Sequence, residues 1–266
     1  MSALEMTVPG SQTALSGDGD ERAAPPLRRV LAQARFDALA MLRNGEQLLL
    51  TVILPLFVLA GLARSGVVDL GEGRRIDLAT PGVLALALIS TSFTGQAIST
   101  GFDRRAGLLR LLGTTPLGRS GLIAGRLGAV AAVSAIQVVL LGAVGLALGW
   151  HPAASGLLPA LLVGVLGSAA FVSLGLLLAG TLRAEAVLAA ANLIWVLLLA
   201  GGGVVLAADQ LGPLGDVVRW LPSGALGDGL RVALTDGTWP WADLLILSAW
   251  TAAGTAATIR WFRWDS

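Results

Sequence analysis

The sequence predicts an all-α polytopic membrane protein. It should have six transmembrane helices, an N-terminal amphipathic interfacial helix, and a re-entrant helical pair between helices five and six. Three observations predict this. The 266-residue chain is 55% hydrophobic and only 13% charged, about half the charge of an ordinary soluble domain. Its mean hydropathy is +0.78. It also carries six apolar runs near the roughly 20 residues a helix needs to cross a bilayer core of about 30 Å.

Residues 1–25 are rich in Gly, Ser, Asp, Glu and Pro and contain no apolar core of a signal peptide. They read as a disordered cytoplasmic tail, so the first span must act as its own insertion signal. Residues 26–46 come next. The stretch "LRRVLAQARFDALAMLRNG" places Leu27, Val30, Leu31, Ala34, Ala38, Met41 and Leu42 on one helical face, with Arg28, Arg29, Arg35 and Arg43 mostly off it. That is the pattern of a basic amphipathic helix lying on the inner membrane surface.

Residues 47–266 form the six-helix domain, with apolar runs at 47–64, 80–101, 121–149, 157–181, 187–207 and 240–259. Pro55, inside the first run, predicts a kink rather than a break. Thr80 and Pro81 predict the N-cap and first residue of the second helix. Segment 208–239 is too polar to span and too apolar for a free loop. Its Leu226, Leu230, Ala233 and Leu234 share a helical face, Ser223 can cap that helix, and Pro222 separates it from "DVVRWL". Two short helices at the outer mouth are expected, dipping part-way into the membrane, with Gly224, Gly227 and Gly229 as hinges.

Orientation follows from charge. All 18 basic residues are Arg. With the N-terminus cytoplasmic, thirteen fall in inner segments and five in outer ones, the bias of the positive-inside rule. Both termini are then cytoplasmic. Trp150, Trp220, Trp239 and Trp241 fall near the outer interface, and Trp261 and Trp264 near the inner one. Trp195 and Trp250 read as packing residues.

Several chemistries are disfavoured. His151 is the only His and there is no Lys, so neither Ser168 nor Ser223 has a base to activate it. His151 also lacks a second metal ligand. The spans hold essentially no ionisable residue at their centres, unlike most ion-coupled carriers. Gln96, Gln137 and Asn192 are the notable polar residues within spans. Interhelical hydrogen bonding is the favoured reading for them, with a substrate path as the alternative. No Gly-x-x-x-x-Gly-Lys-Ser/Thr loop occurs, so energy for any pumping must come from another subunit.

Three stretches carry a resemblance: "LRNGEQLLLTVILPLFVLAGL", "ATPGVLALALISTSFTGQAISTGFDRRAGLLRLLGTTPLGRSGLIAGR" and "WLPSGALGDGLRVAL". Together they resemble the ABC type-2 permease family, especially its bacterial drug-exporter, daunorubicin-resistance-like branch, from about Leu27 to Trp261. The most specific part is Asp103 to Arg105, then Gly107, Leu108, Leu109, Leu112, Thr115, Pro116, Leu117 and Gly125-Arg126. The family commonly has Glu where Asp103 stands and Lys where Arg126 stands.

The resemblance implies a permease subunit of the bacterial cytoplasmic membrane that binds no cofactor itself. It would pair with a second permease, identical or homologous, and with two cytoplasmic ATP-binding-cassette subunits that hold ATP and Mg. Nucleic acid is not an expected partner. Hydrophobic or amphipathic, drug-like compounds would be exported. A lipid-linked glycan or cell-envelope component is the alternative cargo, and an ion-coupled carrier the more distant one. Asp103, Arg104, Arg105, Leu108, Leu109, Leu112 and Pro116 would form the ATPase-coupling loop; the plainer reading leaves the arginines to the positive-inside rule and the leucines on lipid. Helix 26–46, with Arg28, Arg29, Arg35 and Arg43, resembles the family's connecting helix, or is simply an anchor. Trp220, Pro222, Ser223, Leu226 and Leu230 would form an outer gate, or a passive plug.

Overall fold

Lipid offers no hydrogen bonds, so a chain crossing it must satisfy its own backbone; among the described residues every regular element is helical. The computed structural model describes residues 24–64, 73–113 and 117–263. Nearly all of the expected tail, together with Thr115, Pro116 and Trp264, lies outside them.

Helix α1 (Pro26–Arg43) opens with Pro26 at its first position, where the missing N–H costs nothing. Its Ala34, Ala38 and Met41 are buried, packed with Ala129 and Val133 of α7 (Gly118–Ala147). Glycine allows the approach: a Cβ on Gly125 would lie 2.6 Å from Gln33 Cγ, and one on Gly128 3.0 Å from Ala34 Cβ. The apolar face expected to lie in lipid is thus divided. Its small residues pack on α7, while Leu27 and Leu31 remain 70% and 58% exposed.

The chain then runs helically through α2 (Gly45–Leu48), a π-helical turn Leu49–Ile53 and α3 (Leu54–Arg64). The π turn, closed by Leu54 N–H donating to Leu49 O, immediately precedes Pro55. Widening the turn there accommodates a residue that has no N–H to give. The helix does not break, as expected. This first apolar helix, Thr51–Arg64, is shorter than the other spans.

Five segments are long and apolar enough to cross a membrane: Arg75–Arg105, Gly121–Ala147, Ala154–Thr181, Ala184–Gly201 and Trp241–Trp261. The first of these corrects the sequence reading of Thr80 and Pro81. Helix α4 (Arg75–Ile89) contains Pro81 in its interior, and Thr80 Oγ1 donates back to Ile76 O at 2.8 Å instead of capping. The helix starts earlier because Asp77 lies in its first turn, where a carboxylate favours the helix dipole, and pairs with Arg74 at 3.6 Å. A second π turn, Ser90–Gly95, leads into α5 (Gln96–Arg105). This long segment is the innermost of the fold: Val83, Ala85, Ile89 and Ala97 are fully buried. Packed against it are α3, α7, α8 (Leu157–Thr181) and α9 (Ala184–Gly201), while α12 (Trp241–Trp261) packs on α8.

Between α9 and α12 the chain forms α10 (Gly215–Val218) and α11 (Pro222–Arg231), two short helices on either side of the Leu221–Pro222 junction as expected. Helix α11 packs against α4, α8 and α12, and Ala225 and Leu226 are fully buried. One expectation fails. Ser223 does not cap α11: Pro222 takes the first position, so Ser223 falls inside the helix, and its buried Oγ has no partner. Gly224 and Gly227 allow close approach, since a Cβ would lie 2.1 Å from Val218 O and 2.5 Å from Gly203 O, respectively.

The approach at Gly203 has a purpose. Residues 202–206 are not helical, which frees their carbonyls. The buried Arg231 guanidinium donates to Gly203 O at 3.0 Å, Val204 O at 2.5 Å and Val205 O at 3.1 Å, and to Asp228 Oδ1 at 2.8 Å. One side chain thereby satisfies a break in the helix that would otherwise be costly to bury.

Candidate functional site

A cavity of about 420 Å³ opens where the two π turns face α9. Its polar lining comes from Asn44 and Thr51, from Ser90, Thr94 and Asp103 along the α4–α5 segment, and from Asn192 of α9. Ile98, Phe102, Leu188 and Trp195 supply its apolar walls. Size and mixed character suit a drug-sized amphipathic molecule. Trp195 Nε1 donates to Ser90 Oγ at 2.7 Å, and Ser90 in turn donates to Leu86 O at 2.8 Å. Thr94 is only 6% exposed, and its Oγ1 has no protein partner.

The three polar residues within spans part company here. Asn192 lines the cavity. Gln137 does not: its Oε1 accepts from Thr91 Oγ1 at 2.9 Å and its Nε2 donates to Thr51 O at 2.6 Å, so it ties α7 to both π turns. That is the interhelical role favoured from sequence. Gln96 is buried with an unpartnered Oε1 and lies outside the lining.

At the cavity's edge α5 ends in Asp103, Arg104 and Arg105, and each reaches a different helix. Asp103 pairs with Arg126 of α7, whose other nitrogen, Nη1, donates to Thr100 Oγ1 at 2.6 Å. Arg104 is buried and donates to Gly180 O at 2.7 Å and to Leu182 O, occupying carbonyls at the end of α8 where a cation also suits the helix dipole. Arg105 pairs with Glu185 in the first turn of α9. Both partners are more than half exposed, so that pair contributes little to stability in water. Charges expected to meet another protein are therefore engaged within the chain.

Gly107, with φ of +72°, then turns the chain into α6 (Leu108–Gly113), a backbone conformation that favours glycine. Leu109 points inward at 3% exposure, while Leu108 and Leu111 are 36% and 65% exposed. The Leu112 side chain and Pro116 lie outside the described residues. On α1, Arg28, Arg35 and Arg43 are exposed and Arg29 is half-buried. Asp37 of α1 faces inward. Its Oδ1 accepts from Gln33 Nε2 at 2.9 Å, and its buried Oδ2 has no partner. Burial pushes its carboxyl above the ordinary carboxylate range, against the opposing pull of Gln33 and Arg126.

At the other end, Trp220 is 66% exposed and its carbonyl accepts from Trp250 Nε1 at 2.8 Å. Pro222, Ser223, Leu226 and Leu230 are buried inside the protomer.

The sequence profile described as ABC-2 type transporter matches residues 29–234. The chain belongs to that family. It is therefore the permease subunit of an ABC transporter, a multi-pass membrane protein whose family works with an ATP-binding-cassette subunit and typically has no nucleotide site of its own. A search of curated proteins returned no match. The match to the ABC-2 family spans α1, the cavity, the α5–α6 turn and α11, so every element of the site lies inside it.

Sequence reasoning missed several residues of this ABC-2 permease site. Trp195, read as packing, forms a wall of the cavity. It stands three residues after Asn192, hence on the same helical face, which is a signal the sequence does hold. The cluster "STSFTG" at 90–95 was the other signal, because so many hydroxyls in one apolar span ask for a purpose.

Proposed function

We propose that this ABC-2 permease exports hydrophobic or amphipathic, drug-like compounds across a bacterial cytoplasmic membrane. It would pair with an identical or homologous permease and be driven by two ATPase subunits. The observation that carries this reading is the mainly apolar cavity between α5 and α9, one helix-end away from the exposed Leu108–Leu111 ridge of α6. A push on α6 would reach the cavity directly, because Phe102 and Asp103 of its wall are separated from α6 only by the turn at Gly107.

The first apolar helix supplies the sixth crossing in this reading. The helical run 45–64 is about 30 Å long at 1.5 Å per residue, enough for a bilayer core. An even count leaves both termini on the Arg-rich, cytoplasmic side. Helices α10 and α11 form a re-entrant outer lid, held closed by Arg231. Helix α1 serves as the connecting helix beside the ATPase.

The test is transport by the permease together with its ATPase in inverted vesicles. ATP-dependent uptake of an amphipathic fluorescent dye is expected, and Asn192→Leu should reduce it. Uptake with no ATP requirement, or unchanged by Asn192→Leu and by Trp195→Ala, would reject the cavity as the transport route.

A further inference from the structure

Among the described residues, the ion cluster behind the cavity is one positive charge short. Asp103 is paired with the guanidinium of Arg126, and Asp37, on the helix packed beside α7, feels that same charge without bonding to it. The neighbouring Arg104 and Arg105 are committed to the carbonyls of Gly180 and Leu182 and to Glu185. Arg126 itself is not fully used: its buried Nε has no acceptor, just as the buried Oδ2 of Asp37 has no donor. An unfilled donor and an unfilled acceptor thus sit in one cluster, on helices packed against each other through Gly125, Gly128 and Ala34.

The cavity opens onto one end of this cluster. Asp103 lines it, and among the described residues only its Oδ2 is engaged, by Arg126. It is the one ionisable residue of the lining. Thr94, nine-tenths buried with an unsatisfied hydroxyl, lines the same cavity, so the site presents oxygen acceptors and no fixed cation. A carboxylate beside apolar walls favours a ligand that combines an ammonium group with an apolar body, since hydrogen bonds to charged groups are the stronger ones in a partly dry site.

We propose that Asp103 is the residue by which the cavity recognises a protonated amine, and that Arg126 passes from Asp103 to Asp37 as the amine arrives. This deepens the permease reading and rests on it. Arrival of the cation gives the cluster its missing charge. Arg126, displaced from Asp103, finds in Asp37 an acceptor without a partner, and the new ion pair ties α1 to α7. Occupancy of the cavity is thereby reported to the helix that lies on the cytoplasmic side.

The experiment uses the full-length permease in nanodiscs of zwitterionic lipid, which does not itself concentrate cations. The probes are dansylcadaverine, a fluorescent primary amine, and its uncharged N-acetyl derivative, read by energy transfer from tryptophan. Wild type is expected to bind the amine at least about ten-fold more tightly than the amide. Asp103→Asn should abolish that ratio, with amine and amide then bound alike, and Asp103→Glu should retain it. Asp37→Asn, which makes the remaining cluster neutral, should also reduce the ratio. Equal binding of amine and amide by wild type, or a ratio that survives Asp103→Asn, overturns recognition by Asp103 yet leaves the permease reading standing. A ratio lost in Asp103→Asn but unchanged in Asp37→Asn overturns the exchange. Failure of both probes to bind overturns the proposal and counts against the cavity itself.

Discussion

Arg104 closes the C-terminal end of α8 by donating to the carbonyl of Gly180 at 2.7 Å, across 76 positions of sequence. It also reaches Leu182 O. A residue expected to belong to the ATPase contact is a structural clamp between α5 and α8. Replacing it with Ala leaves two carbonyls short of a donor, at an expected cost of about 1.5–3 kcal/mol. Thermal unfolding in detergent should show Arg104→Ala well below wild type, with Lys at that position recovering part of the loss. A variant as stable as wild type would return Arg104 to the surface role.

The leucines of α6 divide between stability and coupling. Leu109 is 3% exposed, so Leu109→Asp buries an unpaired carboxylate and should destabilise the permease by several kcal/mol. The double change Leu108→Asp, Leu111→Asp falls on the exposed ridge and should leave the unfolding temperature nearly unchanged. It should lower co-purification with the ATPase and substrate-stimulated ATP hydrolysis. Normal coupling in that folded double mutant would mean that the ridge faces lipid.

Asp37 predicts a pH-dependent stability. Burial raises its carboxyl above its ordinary value, so the folded protein holds that proton more tightly than the unfolded chain does. Its favourable contribution is full below the ordinary carboxylate value of about 3.9 and is lost as pH rises through the raised value. Asp37→Asn, which cannot ionise, should therefore be the more stable protein at pH 7, and the gap should close as pH falls below about 4. A gap that instead widens on acidification contradicts the burial argument.

The outer segment can be tested as a lid. Ala225 is fully buried within its own protomer, whereas Leu214, Val217 and Trp220 are 62–68% exposed. In a chain with no Cys of its own, Val217→Cys should form a disulfide with its counterpart across a permease pair and stop export until a reductant is added, with ATP binding intact. Ala225→Cys should not crosslink. Crosslinked Val217→Cys that exports at its normal rate would make the segment a passive plug.

Much of this could be read in the sequence because lipid imposes a one-dimensional rule. A helix that crosses a bilayer must be apolar for its whole length, so composition alone marks it. The runs beginning near residues 80, 121, 157, 187 and 240 reappear as the five long apolar helices, and the Pro222 boundary as the junction of α10 and α11. Local chemistry was less decisive. Thr80-Pro81 and Ser223 have the look of caps, yet the dipole and ion pair at Arg74–Asp77 start one helix earlier, and Pro222 itself takes the first position of the other.

What only the tertiary structure decided is where the polar groups go. From "DRR" at 103–105 a sequence shows three charges at a membrane edge and nothing of their partners. Those are Arg126, the end of α8 and Glu185, on three helices that packing alone brings beside α5. The same holds for Trp195 and Thr94, which share a cavity because two π turns face α9. Hydrophobic burial is non-directional and follows composition, so the helices were legible. A hydrogen bond or ion pair depends on the placement of two atoms within a fraction of an ångström, and that placement exists only once the helices have packed.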